Sequence, residues 1–440
     1  MTSLSNLLNI TESLCPVCLK TIPANVIVRD GQVFLEKTCP DHGKQSAYLW
    51  PDANHYRWFQ SFSIPSRKPV VQVPYSMGCP VDCGICPVHV KHPTVTEIEV
   101  TLRCNLRCPV CFMAAEDAQV DPSLETISEM YASIRQNVGL QAAIQLTGGE
   151  PTVRKDLPEI IRLGKQAGFN AIEINTNGVM ISRDPSYIHS LAEAGISGIY
   201  LQFDGLTSQV YQQIRGCDLL DNKLKAIEHC RQAGVQVVLA MTVIWGINHN
   251  QLGDVLNFAL KNQDVIAGVA FQPAFTSGRF DVSLERRLTM GDVIFMLAEQ
   301  SDNLLNPYDF LPLGCSHPLC SCGTYIVEKD GGYIPLTRWL TSNEYIHSFD
   351  TESPQGSVFP DIATRRFPEL NPGLSIVVMN YMDAMTMDLE RLKECSMVEV
   401  MEDGHMIPFC AYQLSSSDGK RLYPSLGRID EKPPMEKSNA

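Results

Sequence analysis

The chain has 440 residues, with 35 Lys and Arg against 49 Asp and Glu, a formal net charge of −14, and 16 cysteines. That acidity argues against a nucleic-acid backbone or an anionic membrane as the main partner. No apolar run approaches the ~18–20 residues of a membrane span, and the opening Met1-Thr-Ser-Leu-Ser-Asn lacks the basic and apolar regions of a secretory signal. The expected compartment is therefore a reducing cytoplasm, where so many thiols point to metal rather than to disulfides.

In chain order, the first cysteines form Cys15-Pro-Val-Cys18 and Cys39-Pro-Asp-His42. Between them, two apolar alternating stretches flank Asp30-Gly31, which reads as a β-hairpin turn. Cys15, Cys18, Cys39 and His42 at the ends of a hairpin supply four ligands, enough for tetrahedral zinc or a rubredoxin-like iron. A closed four-ligand site leaves no open position, so this ribbon, placed over residues 1–58, reads as structural. The connector over 59–92 carries Gly78-Cys79-Pro-Val-Asp-Cys83-Gly-Ile-Cys86-Pro-Val-His89-Val-Lys-His92. Cys79, Cys83 and Cys86 can hold three corners of an iron–sulfur cube, with the fourth ligand elsewhere; the alternative is a zinc knuckle completed by His89 or His92.

A third triplet with the same spacing, Cys104, Cys108 and Cys111, follows the strand-like run that begins at Glu97. Helical patterns over 124–137, 157–167, 185–194, 219–233 and 250–261 then alternate with strand patterns over 142–146, 171–174, 198–203, 235–243 and 267–271. Counting the strand before Cys104, this makes six βα units and predicts a parallel sheet or barrel. Gly-rich or polar residues recur just after the strands, where such folds bind ligands: Thr147-Gly148-Gly149-Glu150-Pro151, Asn175-Thr-Asn177-Gly178 and Asp204-Gly205. Cys217 and Cys230 stand apart and read as small buried hydrophobes.

The segment 300–440 contains Cys315-Ser-His-Pro-Leu-Cys320-Ser-Cys322, then Cys395 and Cys410. Cys315, Cys320, Cys395 and Cys410 are expected to enclose a complete second auxiliary centre, with Cys322 left over; a zinc site is the alternative. Residues 342–371, rich in Ser, Pro, Asp and Glu, read as a long loop. Glu402-Asp-Gly404 reads as a hairpin turn delivering Cys410 from a strand.

Cys104-xxx-Cys108-xx-Cys111, Gly148-Gly149-Glu150-Pro151 and Asn175-Thr-Asn177-Gly178, in that order, resemble the radical S-adenosylmethionine (radical SAM) superfamily. The resemblance implies an α/β fold, a partial (β/α)6 TIM-like barrel over 93–299, between the metal-ribbon domain and a cysteine-rich iron–sulfur domain. It implies that Cys104, Cys108 and Cys111 hold a 4Fe–4S cluster whose open iron takes the amino and carboxylate groups of S-adenosylmethionine, which an electron then cleaves to a 5′-deoxyadenosyl radical. By the same resemblance Gly148, Gly149 and Glu150 hold the amino group, Asn177 and Asp204 meet the ribose hydroxyls, and Thr147 and Asn175 are further cofactor-binding positions; a plain turn is the alternative for 175–178. Glycine there permits close backbone approach to the ligand. Many members have an aromatic residue before the last cluster cysteine; here Val110 stands there and Phe112 follows, a departure that concerns packing around the cluster.

Over nearly the whole chain, the order of ribbon, connector, barrel and C-terminal cysteines is similar to dihydropterin methylases and archaeal tetraether-lipid synthases. That subgroup implies one or two auxiliary 4Fe–4S clusters, one mononuclear zinc or iron, and a transferase that methylates or joins carbon at an sp³ centre of a pterin-like or lipid substrate. A reduced ferredoxin or flavodoxin is the expected electron donor, in an anaerobic cytoplasm, with no nucleic acid and no membrane span. The competing readings are a radical SAM peptide maturase and an iron–sulfur electron carrier. The latter has no use for the organic-ligand pocket that the Gly148–Pro151 loop and six βα units predict.

Overall fold

The computed structural model describes residues 6–81, 83–113, 120–283, 285–314, 316–351, 356–370 and 372–423. The N-terminal ribbon is an antiparallel sheet of β1 (Leu7–Leu14), β2 (Thr21–Arg29), β3 (Gln32–Cys39) and β4 (Gly43–Trp50). Asp30 and Gly31 join β2 to β3 with φ of 52° and 77°, the two-residue geometry whose twist matches the flanking strands. The ribbon shares its core with the rest of the chain: Val26, Val33, Leu35 and Trp50 belong to the same buried cluster as the barrel's apolar residues. Its buried Lys37 reaches out of the ribbon, donating to Ser13 Oγ (3.0 Å) and to the carbonyls of Ala384 and Met385 (2.9 Å each). Helix α1 (Ala53–Gln60), capped by Asp52, closes this region.

The barrel begins with β5 (Val95–Thr101) and the two-residue β6 (Val110–Cys111), then α2 (Leu124–Asn137), β7 (Ala143–Gly148), α3 (Leu157–Gln166) and β8 (Ile172–Thr176). It continues through α4 (Val179–Arg183), α5 (Pro185–Ala194), β9 (Gly198–Gln202), α6 (Ser208–Arg215), α7 (Leu220–Ala233), β10 (Val237–Val243) and α8 (Leu252–Lys261) to β11 (Ile266–Pro273). The six strands β5, β7, β8, β9, β10 and β11 pair in parallel in that order, as the six predicted βα units require. Side chains alternate across them. Ile144, Leu146, Ile172, Ile174, Leu239 and Met241 are buried in the core under the helices, while the intervening positions face the interior.

Strand β12 (Arg279–Phe280) pairs back onto β6 and ties the cysteine loop to the far side of the barrel. After α9 (Met290–Gln300), the chain forms β13 (Leu311–Pro312), β14 (Ser321–Lys329), β15 (Gly332–Pro335), β16 (Leu374–Met379), β17 (Met397–Val400) and β18 (Met406–Pro408). These strands do not make a separate sheet. β16 adds in parallel to β11 and β17 in parallel to β5, so the C-terminal segment covers both edges of the six-stranded sheet; uncovered, each edge would expose unpaired backbone groups.

Two expectations change. The segment 342–371 is not one long loop: it contains α10 (Ser342–Ile346) and α11 (Phe359–Arg366), whose buried Tyr345 and Phe359 stack at 5.3 Å. The hairpin at 402–404 forms between β17 and β18, but Cys410 lies one element later, in the short helix α13 (Phe409–Tyr412); α12 (Leu389–Lys393) precedes β17.

Candidate active site and metal centres

The ribbon brings four ligand atoms together. A tetrahedral ion with Zn–S of ~2.3 Å and Zn–N of ~2.0–2.1 Å requires S···S edges of about 3.8 Å and S···N edges of about 3.6 Å. Cys18 Sγ lies 3.9 Å from Cys39 Sγ, and His42 Nδ1 lies 3.5 Å from both Cys15 Sγ and Cys39 Sγ. All four atoms fall within 4.8 Å of one another, so the donor set fits one tetrahedral ion. Burial alone would raise the Cys15 thiol; the backbone N–H groups of Cys18 and Val17 and the Gln45 amide outweigh it and hold it at about 6, ready to bind as thiolate.

Cys104, Cys108 and Cys111 line a cavity of about 480 Å³. Burial pushes the Cys104 thiol up to about 12, and the Cys108 thiol is raised by burial as well. Neutral, closely spaced thiols at a cavity wall are what a bound cationic centre would deprotonate. Arg279 Nη1 donates to the Cys108 carbonyl (3.1 Å) and Arg215 Nη1 to the Val110 carbonyl (3.0 Å), fixing the loop from two sides.

Thr147, Gly148, Gly149 and Glu150 also line the cavity. A Cβ at Gly148 would stand 2.0 Å from the Thr101 carbonyl oxygen, and one at Gly149 2.3 Å from that of Arg103. The glycines are needed because this loop packs onto the backbone beside the cysteines, with Gly149 N donating to Thr101 O (2.7 Å) and Glu150 N to Arg103 O (2.9 Å). The Glu150 carboxylate accepts from Thr152 N (3.1 Å), Thr152 Oγ1 (2.5 Å), Thr176 Oγ1 (2.6 Å) and Asn177 N (2.7 Å). Four protein donors, three on Oε1 and one on Oε2, tie it between the loop and the end of β8 while it lines the cavity.

Asn175 and Asn177 line the cavity. Asn177 Nδ2 donates to Asn105 Oδ1 (2.7 Å), and its Oδ1 accepts from Val179 N (3.0 Å). Asn175 Nδ2 donates to Gln145 Oε1 (3.2 Å), while Asn175 Oδ1 is buried without a hydrogen-bond partner. An orphaned acceptor facing a cavity beside three cysteines fits a polar ligand there. Asp204 departs from expectation: it is fully buried, is not part of the cavity wall, and holds Arg215 through two bonds of 2.7 and 2.8 Å. Arg215 lines the cavity in its place.

Several lining residues escaped the sequence reading. Glu97, Gln145 and Glu173 stand side by side on β5, β7 and β8 in strict register. Burial raises Glu97 to about 7 and also raises Glu173. Phe112, Phe275, Tyr381 and Phe409 also line the cavity and form an aromatic wall with ring centroids 4.7–5.8 Å apart around the circuit. Phe112, which follows Cys111, therefore supplies the packing that Val110 does not.

Behind that wall lie the other cysteines. Cys79 and then burial push the Cys83 thiol well above its ordinary value, with Cys86 and Cys395 also acting on it. Cys395 is raised by burial and feels Cys410 and Cys320; burial takes Cys410 up to about 12, again with Cys320 close by. Arg391, itself buried, donates to Cys320 Sγ at 3.3 Å. The structure thus gathers Cys320, Cys395 and Cys410, and sets Cys395 next to the Cys79, Cys83 and Cys86 group; Cys315 lies outside the described residues. His89 Nε2 bonds the Cys395 carbonyl (2.8 Å) and His92 Nε2 the Val138 carbonyl (2.9 Å), so both rings serve the backbone through that nitrogen. Cys322 and Cys230 are packed in the main core, and Cys217 packs against a small apolar cluster.

The chain belongs to the radical SAM superfamily. A profile of the Radical SAM superfamily matches residues 98–259, and one of the HMPTM N-terminal zinc ribbon domain matches residues 7–51. The chain is 34% identical to the 7,8-dihydro-6-hydroxymethylpterin dimethyltransferase of Methanocaldococcus jannaschii, over 91% of this chain and 92% of that one. The Fe-coproporphyrin III synthase of Methanosarcina barkeri is 31% identical, with 46% of this chain and 51% of that one covered. Among solved structures, Streptococcus suis SuiB bound to S-adenosylmethionine aligns with a TM-score of 0.47 at 15% identity, over 73% of this chain and 61% of that one. Membership implies a 4Fe–4S cluster and S-adenosylmethionine as cofactors, a reductant and a small-molecule substrate, and the ribbon implies a mononuclear metal ion. No helix among the described residues is long and apolar enough to cross a membrane.

Proposed function

We propose that this radical SAM enzyme methylates an sp³ carbon of a 7,8-dihydro-6-hydroxymethylpterin or a close analogue. In this reading Cys104, Cys108 and Cys111 hold the 4Fe–4S cluster, and S-adenosylmethionine lies against Thr147, Gly148, Gly149, Asn175 and Asn177. Bound there, the two supply a 5′-deoxyadenosyl radical able to take hydrogen from an unactivated carbon. Glu150 and the Asp204–Arg215 pair position the loops from behind, and the barrel wall keeps water from the reacting carbon.

One observation carries the choice of substrate. The cavity is lined by Glu97 and Glu173, and the one cationic lining residue among the described residues, Arg215, is already bidentate to Asp204. An alkyl chain would offer neither carboxylate a further donor, and a nucleotide phosphate would be repelled. A flat ring with N–H groups on one edge, laid against the wall of Phe112, Phe275, Tyr381 and Phe409, satisfies both the polar and the aromatic sides. The likeness to the Methanocaldococcus dimethyltransferase over nearly the whole chain supports the same reading.

The supporting centres are assigned on the same basis. One auxiliary cluster uses Cys79, Cys83 and Cys86 and a second uses Cys315, Cys320, Cys395 and Cys410; Cys15, Cys18, Cys39 and His42 hold zinc or iron. Reduced ferredoxin or flavodoxin donates the electron in an anaerobic cytoplasm. The functional segments are 1–58, 59–92, 93–299 and 300–440, although strands of the last share the barrel sheet. The test is anaerobic turnover with S-adenosylmethionine, reductant and 7,8-dihydro-6-hydroxymethylpterin, followed by mass spectrometry. Methylated pterin together with 5′-deoxyadenosine is expected; 5′-deoxyadenosine without any pterin product, while a lipid or peptide is modified, would overturn it.

A further inference from the structure

The floor of the cavity carries more acceptors than the protein itself can satisfy. Gln145 Nε2 donates to Glu173 Oε2 (3.2 Å), which orients that carboxylate and leaves Oε1 without a partner among the described residues. Asn175 lies two residues further along β8 and so projects to the same face; its Oδ1 is buried and orphaned. Gln145 is spent between them, since its Oε1 accepts from Asn175 Nδ2 (3.2 Å). Glu97 is occupied differently. It stands in register with Glu399 on β17, a fully buried carboxylate whose two oxygens have no hydrogen-bond partner. Burial and then Glu97 push Glu399 well above the usual carboxylate range, so Glu399 is the neutral member of the pair and Glu97 faces a partner across the strands. Glu173 is therefore the acceptor of the floor that Gln145 fixes and that keeps a free oxygen, and among the described residues no lysine or free arginine lines the cavity to neutralise it.

We propose that Glu173, steadied by Gln145, is the specificity-determining residue for the substrate ring, its carboxylate accepting the exocyclic amino N–H and the adjacent ring N–H of a 2-amino-4-oxo heterocycle. The inference rests on the pterin reading above and deepens it. A carboxylate facing two neighbouring N–H groups makes a paired, charge-assisted contact. The same carboxylate would meet an oxygen, and repulsion, in a ring bearing oxo in place of amino. Discrimination then comes from a buried acceptor that only the correct edge satisfies.

The test measures binding to the anaerobic holoenzyme by fluorescence titration, with 7,8-dihydro-6-hydroxymethylpterin and its counterpart carrying oxygen in place of the 2-amino group. Wild type should favour the amino compound by about 30-fold or more, on the scale of one to two charge-assisted hydrogen bonds. Glu173→Gln should bring that ratio to within about threefold of unity, because the amide offers one donor and one acceptor where the carboxylate offers two acceptors. Gln145→Leu, which frees Glu173 to rotate, should lower the ratio by a smaller factor and serves if Glu173→Gln fails to fold. Equal binding of the two compounds by wild type overturns the inference. So does an unchanged ratio in Glu173→Gln, or a ratio that collapses only in Glu97→Gln. If wild type binds neither compound, the pterin reading itself fails, a result distinct from each of these.

Discussion

Asp204 and Glu150 occupy positions where family likeness expects direct ligand contact, yet their carboxylates are already bound by protein donors. Their work is to hold other groups in place. Asp204 neutralises Arg215, which in turn fixes the cysteine loop at the Val110 carbonyl. Asp204→Asn should therefore strand a buried guanidinium and cost about 3–5 kcal/mol, read by equilibrium denaturation of the metal-loaded protein. A loss below about 1 kcal/mol would show that the pair is not the brace. Asp383 offers a second residue-level test. Burial pushes its carboxyl up, but Arg287 and the Thr276 donors outweigh that and hold it below the usual 3.8. A depressed folded value stabilises above the unfolded value, and that contribution is lost as pH falls through the folded one. Asp383→Asn should thus be less stable than wild type near neutrality, and the gap should narrow as pH drops below about 3.8; a gap independent of pH in denaturation curves would refute the linkage.

At the scale of elements, the loop after β7 is the pivot. Its glycines are required by the backbone of Thr101 and Arg103, not by side-chain chemistry. Gly149→Ala must push one loop off the other, and we expect a loss of about 2–4 kcal/mol in stability, as for overpacked or strained sites, together with lower iron content after reconstitution. Normal iron and stability would contradict the packing described. This element also shows what was legible in the sequence. The strand and helix spans, the Asp30-Gly31 turn and the ligand clusters follow from local periodicity and spacing, which backbone sterics and ligand geometry enforce within a few residues. The acidic floor was not legible. Glu97, Gln145 and Glu173 look like ordinary polar alternation, and nothing in β5, β7 or β8 alone says which face is interior. In a parallel sheet with both faces covered, a charged residue inside a strand has only the cavity to face, and that rule was the available signal.

Across the whole molecule, the ribbon is bound into the structure rather than appended to it. Lys37 bonds Ser13 and the Ala384 and Met385 carbonyls, Thr11 Oγ1 donates to Asp388 (2.7 Å), and Tyr48 OH to Asp292 on α9 (3.1 Å). Removing the ribbon ion with a chelator should then lower the melting temperature of the entire chain by several degrees, since structural ions contribute folding energy outright. A separate low-temperature transition with the main melt unmoved would show the ribbon to be independent. The sequence by itself determined the cysteine groups and the six βα units, because ligand spacing and strand–helix periodicity are local properties of the chain; the cofactor class came with the likeness of its motifs to the radical SAM superfamily. Only the tertiary structure decided that Asp204 turns away from the cavity, that Glu150 braces the loop to β8, that the C-terminal strands seal both edges of the barrel, and that Glu97 and Glu173 line the cavity. Those outcomes depend on which distant groups compete for the same hydrogen bonds, and that competition exists only once the chain is folded.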